Sequence, residues 1–191
     1  GSLPEPENET EMMLDLRRLQ AVFHSLATVH EKGIIHRMIA PDKIYIEETG
    51  DNITAVLTGF YAARRPNNEE FSIGNRLNQL GIVDPLAAPE LVVGYEWADQ
   101  TSDTYSASLM LLERISRVPA ERLTETNRPL EASLSAPTWG LMRDDVVDSL
   151  KIFFQDTLGE DPPREPGGHV SGRLSAAECS QRLSQIILMW S

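Results

Sequence analysis

A run of apolar residues at helical spacing, Met12, Leu16, Leu19, Phe23 and Leu26, limits what this chain can become more than any other feature. Side chains at i, i+4 and i+7 line one face of a helix, and that face is stable in water only when another layer covers it. Lys32-Gly33 supplies the stop, a cation in the last turn followed by a residue that accepts a left-handed backbone. Residues 1–10, with two prolines and three glutamates, read as a solvated lead-in that opens on Gly1-Ser2, a cloning scar.

After Gly33 the period changes. Lys43 to Ile46 and Asn52 to Leu57 are short runs rich in β-branched and aromatic residues. Between them stands Glu48-Thr49-Gly50-Asp51, expected to be a hairpin turn. From Tyr61 to Pro85 the composition is polar, with Arg64-Arg65-Pro66-Asn67-Asn68-Glu69-Glu70, and a long loop is expected.

Helical patterns then return over Ser102 to Ile115, over Asp144 to Leu158 with Val146, Val147, Leu150, Phe153 and Phe154, and over Ser175 to Trp190. Ser175 with Glu178 three positions on predicts a capping box at the start of the last helix. Pro162-Pro163-Arg164-Glu165-Pro166-Gly167-Gly168 interrupts the pattern before that helix, as a surface insertion at about 162–172. The expected fold is therefore mainly α with a small β-hairpin, an α+β domain without internal repeats, and 191 residues suffice to bury one core.

Charge and composition exclude several functions. The net charge of -12 sets up a field that repels phosphate backbones and anionic membrane surfaces, so nucleic acid is not an expected partner. No stretch approaches the roughly 18 consecutive apolar residues of a membrane span, so membrane insertion is not expected. The single cysteine, Cys179, excludes an internal disulfide and any Cys-Cys metal spacing, and fits an intracellular compartment, cytoplasmic or nuclear. It reads as a small buried apolar residue. His24 and His30 are too far apart for i, i+4 metal pairing and have no carboxylate motif beside them, so no metal is expected there.

Gly33-Ile34-Ile35-His36-Arg37-Met38-Ile39-Ala40-Pro41-Asp42-Lys43 resembles the catalytic loop of protein kinases, in which a helix ends in Gly and His-Arg-Asp is followed by Asn. Leu57-Thr58-Gly59-Phe60-Tyr61 resembles the Asp-Phe-Gly region after the second strand, and Ala88-Pro89-Glu90 matches the family's Ala-Pro-Glu. Asp103-Thr104-Tyr105-Ser106 is similar to the opening of the family's central buried helix. Glu160-Asp161-Pro162 and Arg173-Leu174-Ser175-Ala176-Ala177-Glu178 are similar to the end of its C-terminal lobe. The order and spacing of these segments cover nearly the whole chain. They imply a kinase-like helical C-lobe over 11–191, with a catalytic-loop-like segment at 34–43 and an activation-segment-like stretch at 59–90.

The same resemblance sets expectations about chemistry. Phosphoryl transfer needs a carboxylate to orient the hydroxyl, and an Asp and an Asn to hold metal ions. Those positions read Met38, Gly59 and Lys43; Ala40 stands for the catalytic-loop lysine, and an apolar residue around Ile82-Val83 for the threonine before Ala-Pro-Glu. A thioether accepts no proton and binds no magnesium, and an ammonium repels the metal. Tyr45 falls where the family has a small aliphatic residue under the adenine ring, and neither a Gly-rich loop nor a Val-Ala-Ile-Lys strand precedes Glu11. The expectation is a pseudokinase: no enzyme, no cofactor, no nucleotide binding, with a protein partner instead.

Other positions match the family's internal bracing. His36 and Phe60 match apolar-spine positions, Asp103 the buried carboxylate under the catalytic loop, and Glu90 with Arg173 a buried ion pair. Arg37 and Arg64 match a basic pocket for a phosphorylated loop, with Ser72 or Glu69-Glu70 as the anion; the favoured alternative is that Arg37 makes ordinary loop contacts and Arg64-Arg65 is solvated. Trp139 is either core packing or an interface residue. The implied function is a protein-interaction scaffold or allosteric regulator, docking through the groove between the activation-like segment and the helices near Arg122 to Leu134. The alternatives are a phosphotransferase in which Asp42, Glu47 or Asp84 replaces a missing carboxylate, and a structural spacer in a larger protein.

Overall fold

The structure is a computed structural model that describes residues 9–65, 84–126, 128–159 and 172–190, with Tyr95 described by its backbone alone. Ser72, Glu69-Glu70, Ile82-Val83, Glu160-Asp161-Pro162, Gly1-Ser2 and nearly all of the expected insertion at 162–172 lie outside these residues. What is described is mainly helical with one two-stranded antiparallel sheet, the expected class.

Helix α1 (Glu9–Glu31) turns Met12, Leu16, Leu19, Val22, Phe23 and Leu26 inward, all nearly inaccessible to solvent, and stops where Gly33 takes φ 70. Strands β1 (Ile44–Thr49) and β2 (Asn52–Leu57) pair in register from Ile44↔Leu57 to Thr49↔Asn52. The turn is thus shorter than the four residues expected: Glu48 and Thr49 stay in the strand because Gly50, at φ 59, reverses the chain within Gly50-Asp51. Ala55 and Leu57 of β2 are buried, Ile44 and Ile46 opposite them pack against the core, and Ser25 Oγ fastens the hairpin to α1 by donating to the Ala55 carbonyl at 2.6 Å.

A short helix α2 (Pro89–Val93) leads to α3 (Gln100–Ser116), which is buried on nearly every side. Within this enclosed helix Ser106 and Ser116 satisfy their hydroxyls on carbonyls four residues back, at 3.1 and 2.7 Å. Two short helices, α4 (Ala120–Leu123) and α5 (Pro129–Ser133), precede α6 (Asp144–Thr157) and α7 (Ala176–Trp190). An aromatic chain knits this half together. Phe23 meets Phe153 edge-on at 5.9 Å, Phe153 meets Phe154 at 5.4 Å, and Trp139 meets Phe154 at 6.3 Å. Each buried ring of this kind contributes on the order of 2 to 3 kcal/mol by leaving water.

Helices α1 and α7 run antiparallel. Gln20 Nε2 donates to Ser180 Oγ and Ser184 Oγ at 3.3 and 3.2 Å, and Trp190 Nε1 donates to Glu9 Oε1 at 2.5 Å. Cys179 is fully buried on α7. Among the described residues no helix is long and apolar enough to cross a membrane.

Candidate functional site

The segment 34–43 is held from below by one carboxylate. Asp99 caps α3, its Oδ1 accepting from Thr101 N at 2.7 Å and Ser102 N at 3.2 Å, while Ser102 Oγ accepts from Asp99 N. That cap fixes the first turn, and Asp103, 1% exposed, projects from it under the loop. Its oxygens accept from His36 N and Arg37 N, both at 2.7 Å, and from His30 Nε2 at 2.9 Å. Arg37 sits at φ 66, a left-handed conformation that costs a non-glycine residue about 1 kcal/mol or more. The charge-assisted bonds to Asp103 offset that cost.

His36 is fully buried, and its Nε2 lies 2.8 Å from the Thr58 carbonyl. A carbonyl only accepts, so Nε2 carries the hydrogen, and Nδ1 is enclosed without a partner among the described residues. The ring meets Phe60 at 4.7 Å, which ties the loop to the residues after β2. Ile35 and Arg64 add an antiparallel bridge, each N–H donating to the other's carbonyl at 2.9 Å. Arg37 thus lies within this loop and Arg64 is bridged to it, while Ser72 and Glu69-Glu70 lie outside the described residues.

A second brace lies deeper. Arg173 Nη1 donates to Glu90 Oε1 at 2.6 Å, with both side chains almost wholly out of solvent. Ser102 Oγ donates to the same oxygen at 2.6 Å, and Arg173 Nε and Nη2 donate to the Gly159 carbonyl at 3.0 and 2.8 Å. The guanidinium also lies 4.7 Å from the Tyr105 ring centroid. This arrangement joins α2, α3 and the entry to α7 through one buried charge pair.

The outward side of the loop carries different groups. Met38 is partly buried against the core and Ala40 is buried. The Lys43 stem passes over Gly59, its ammonium pairs with the Asp42 carboxylate, and it lies 5.7 Å from the Tyr61 ring centroid. Hydrogen bonding to Asp42 holds the Lys43 pKa above its ordinary value. Burial pushes the Asp84 carboxyl up, against the Leu86 N–H that it accepts at 2.9 Å, and the negative charge of Asp42 raises it further. Glu47 and Tyr45 stand on the exposed face of β1, and Tyr45 is 65% accessible. Asp42 and Asp84 are carboxylates on this side, and the Lys43 ammonium lies in their field.

Trp139 points inward, its Nε1 donating to the Ser133 carbonyl at 2.9 Å, and only 8% of it meets solvent. Little of that side chain is available to a partner. Sequence patterning passed over Asp15, buried on α1, which accepts from Arg114 Nη2 at 2.8 Å and Arg18 Nη1 at 3.3 Å. Arg18 continues to Glu48 on β1 at 2.7 Å. An acid on the stripe of Met12, Leu16 and Leu19 was the available signal, because a charge there must be paired. Among the described residues no group of three or more His, Cys, Asp or Glu side chains could hold a metal ion.

No known family's sequence profile matches the chain. Curated proteins do. The serine/threonine-protein kinase pkn2 of Myxococcus xanthus is 30% identical over 132 residues, which are 63% of this chain and 15% of that protein. The Arabidopsis thaliana serine/threonine-protein kinases AtPK1/AtPK6 and AtPK2/AtPK19 are each 30% identical over 107 residues, 55% of this chain and 21% of theirs. The chain thus spans about a fifth or less of the length of these relatives. These matches support a kinase-related origin. They also correct the expectation that the chain is no enzyme, which was drawn from Met38, Ala40, Lys43 and Gly59: the similar proteins are named as kinases, which are enzymes, and no finding shows inactivity.

Proposed function

We propose that this chain is a kinase-like C-terminal lobe that binds a protein partner and regulates or scaffolds through that contact. The observation that carries this is the placement of α2. Glu90 anchors it internally to Arg173, and the same short helix holds Val92 and Val93 outward, 51% and 66% exposed. Leu134, just after α5, is also exposed at 46%. Apolar side chains presented to water on a braced element are what a docking face requires. Affinity purification with the wild type and with Val92→Asp/Val93→Asp tests it. Loss of a specific partner at unchanged thermal midpoint supports the docking face, and retention of every partner removes it.

A second function, phosphoryl transfer with relocated carboxylates, is favoured by the names of the similar proteins and by Asp84 lying within the field of the Asp42 carboxylate. Phosphate release from magnesium-ATP by the full-length protein tests it. Activity abolished by Asp42→Asn or Asp84→Asn supports it; absence of release from the wild type rejects it.

A further inference from the structure

Strand β1 has β2 on one edge and, among the described residues, no strand on the other. Strand β2 is the one fastened to α1, by Ser25 Oγ at the Ala55 carbonyl, so the unpaired edge of β1 is the outer edge of the hairpin. The register fixes which groups stand there. Thr58 N donates to the Lys43 carbonyl at 2.8 Å, and bonded and unbonded pairs alternate in an antiparallel ladder. Tyr45, Glu47 and Thr49 therefore bond to β2, while the N–H and C=O of Ile46 and Glu48 point outward. Among the described residues these outward groups have no backbone partner.

The side chains along the edge carry a sign. Glu47 and Asp51 are exposed and form no ion pair among the described residues, whereas Glu48 is held by Arg18 at 2.7 Å. Tyr45, 65% accessible, shares the outer face with Glu47, because alternate residues of a strand point the same way.

We propose that the outer edge of β1 accepts an extended, cationic segment of a protein partner as a third strand. Ile46 and Glu48 bond its backbone, Tyr45 packs against one apolar side chain, and Glu47 pairs with a Lys or Arg two positions further along. A second copy of β1 is disfavoured as the occupant. Bonding Ile46 of one copy to Glu48 of the other sets Glu47 against Glu47, and a net charge of -12 repels the approach. This surface is separate from the α2 face, so the two stand or fall independently.

Residue-resolved hydrogen exchange on the full chain, with a synthetic repeat of Thr-Val-Thr-Lys as the probe, tests the edge. Ile46 and Glu48 amides are expected to exchange freely without the peptide and to slow at least about fivefold when it is saturating, with Tyr45 and Glu47 amides, already bonded to β2, changing less. N-methylation of the threonine amides, which face β1 when Val and Lys lie beside Tyr45 and Glu47, should weaken binding; N-methylation of the Val and Lys amides should not. Glu47→Lys should weaken the peptide about two- to fivefold and favour a Thr-Val-Thr-Glu repeat instead. Equal effects of the two methylation patterns would reduce the binding to charge attraction and overturn the proposal. So would Ile46 and Glu48 amides that are slow before any peptide is added, since the edge would then be covered already. Slowing that depends on the concentration of the chain alone would make a second copy the occupant and overturn it as well. Val92→Asp/Val93→Asp should bind the peptide like wild type; weaker binding there would move the site to α2.

Discussion

Glu90 and Arg173 form a pair from which neither partner can be removed alone. A lone buried charge costs about 3 to 5 kcal/mol, so Glu90→Ala or Arg173→Ala is expected to unfold the domain or lower its thermal midpoint sharply, as calorimetry would show. Asp84 behaves in the opposite sense. Burial raises its folded pKa above the ordinary 3.8, so between those values the folded state keeps a proton that the unfolded chain releases. Stability then falls as pH rises through that window and stays reduced above it. Asp84→Asn should therefore be more stable than wild type near neutral pH, with the gain gone at about pH 3; an equal gain at both pH values would contradict this assignment. At this scale the sequence spoke through motifs. His36, Asp103, Glu90 and Arg173 stood out by resemblance, and the structure bonds Asp103 to the His36 amide and Glu90 to Arg173. Partners far apart in the chain, such as Asp15 and Arg114, left only a misplaced acid to notice.

Periodicity made the long elements legible and left the short ones silent. Helices α1, α3, α6 and α7 each repeat their apolar face over several turns, whereas α4 and α5, of four and five residues, complete no stripe that could be read. Helix α3 ends on Arg117 at φ 59, a stop without the glycine that would have marked it. The start of α7 was written plainly. Ser175 N and Oγ donate to Glu178 Oε2 at 2.8 and 2.6 Å, and Ser175 Oγ accepts from Glu178 N. The bonds from Ser175 hold the Glu178 pKa below its ordinary 4.5, so this support is present above that value and is lost as pH falls through the lowered one. Ser175→Ala is expected to cost about 1 kcal/mol in urea denaturation near neutral pH, with a smaller difference in acid.

On the scale of the molecule, two buried braces and an aromatic chain tie the helices together, and Lys43 and Asp42 stand on the outward side of the loop that Asp103 holds. Of the segments quoted from the sequence, the stretch 34–43 lies over Asp103 and Ala88-Pro89-Glu90 opens α2. Motif order did not reveal where Trp139 points, since the packing that draws it to Phe154 involves residues with no local pattern. The antiparallel seam between α1 and α7, closed by Glu9 and Trp190, has a mechanical consequence. Force applied at residues 9 and 190 pulls two adjacent helix ends apart, so the seam opens one contact at a time instead of shearing all at once. Optical-trap extension should find a low, gradual first yield at this seam, abolished by a disulfide engineered across it, with the α3 core giving way only afterwards.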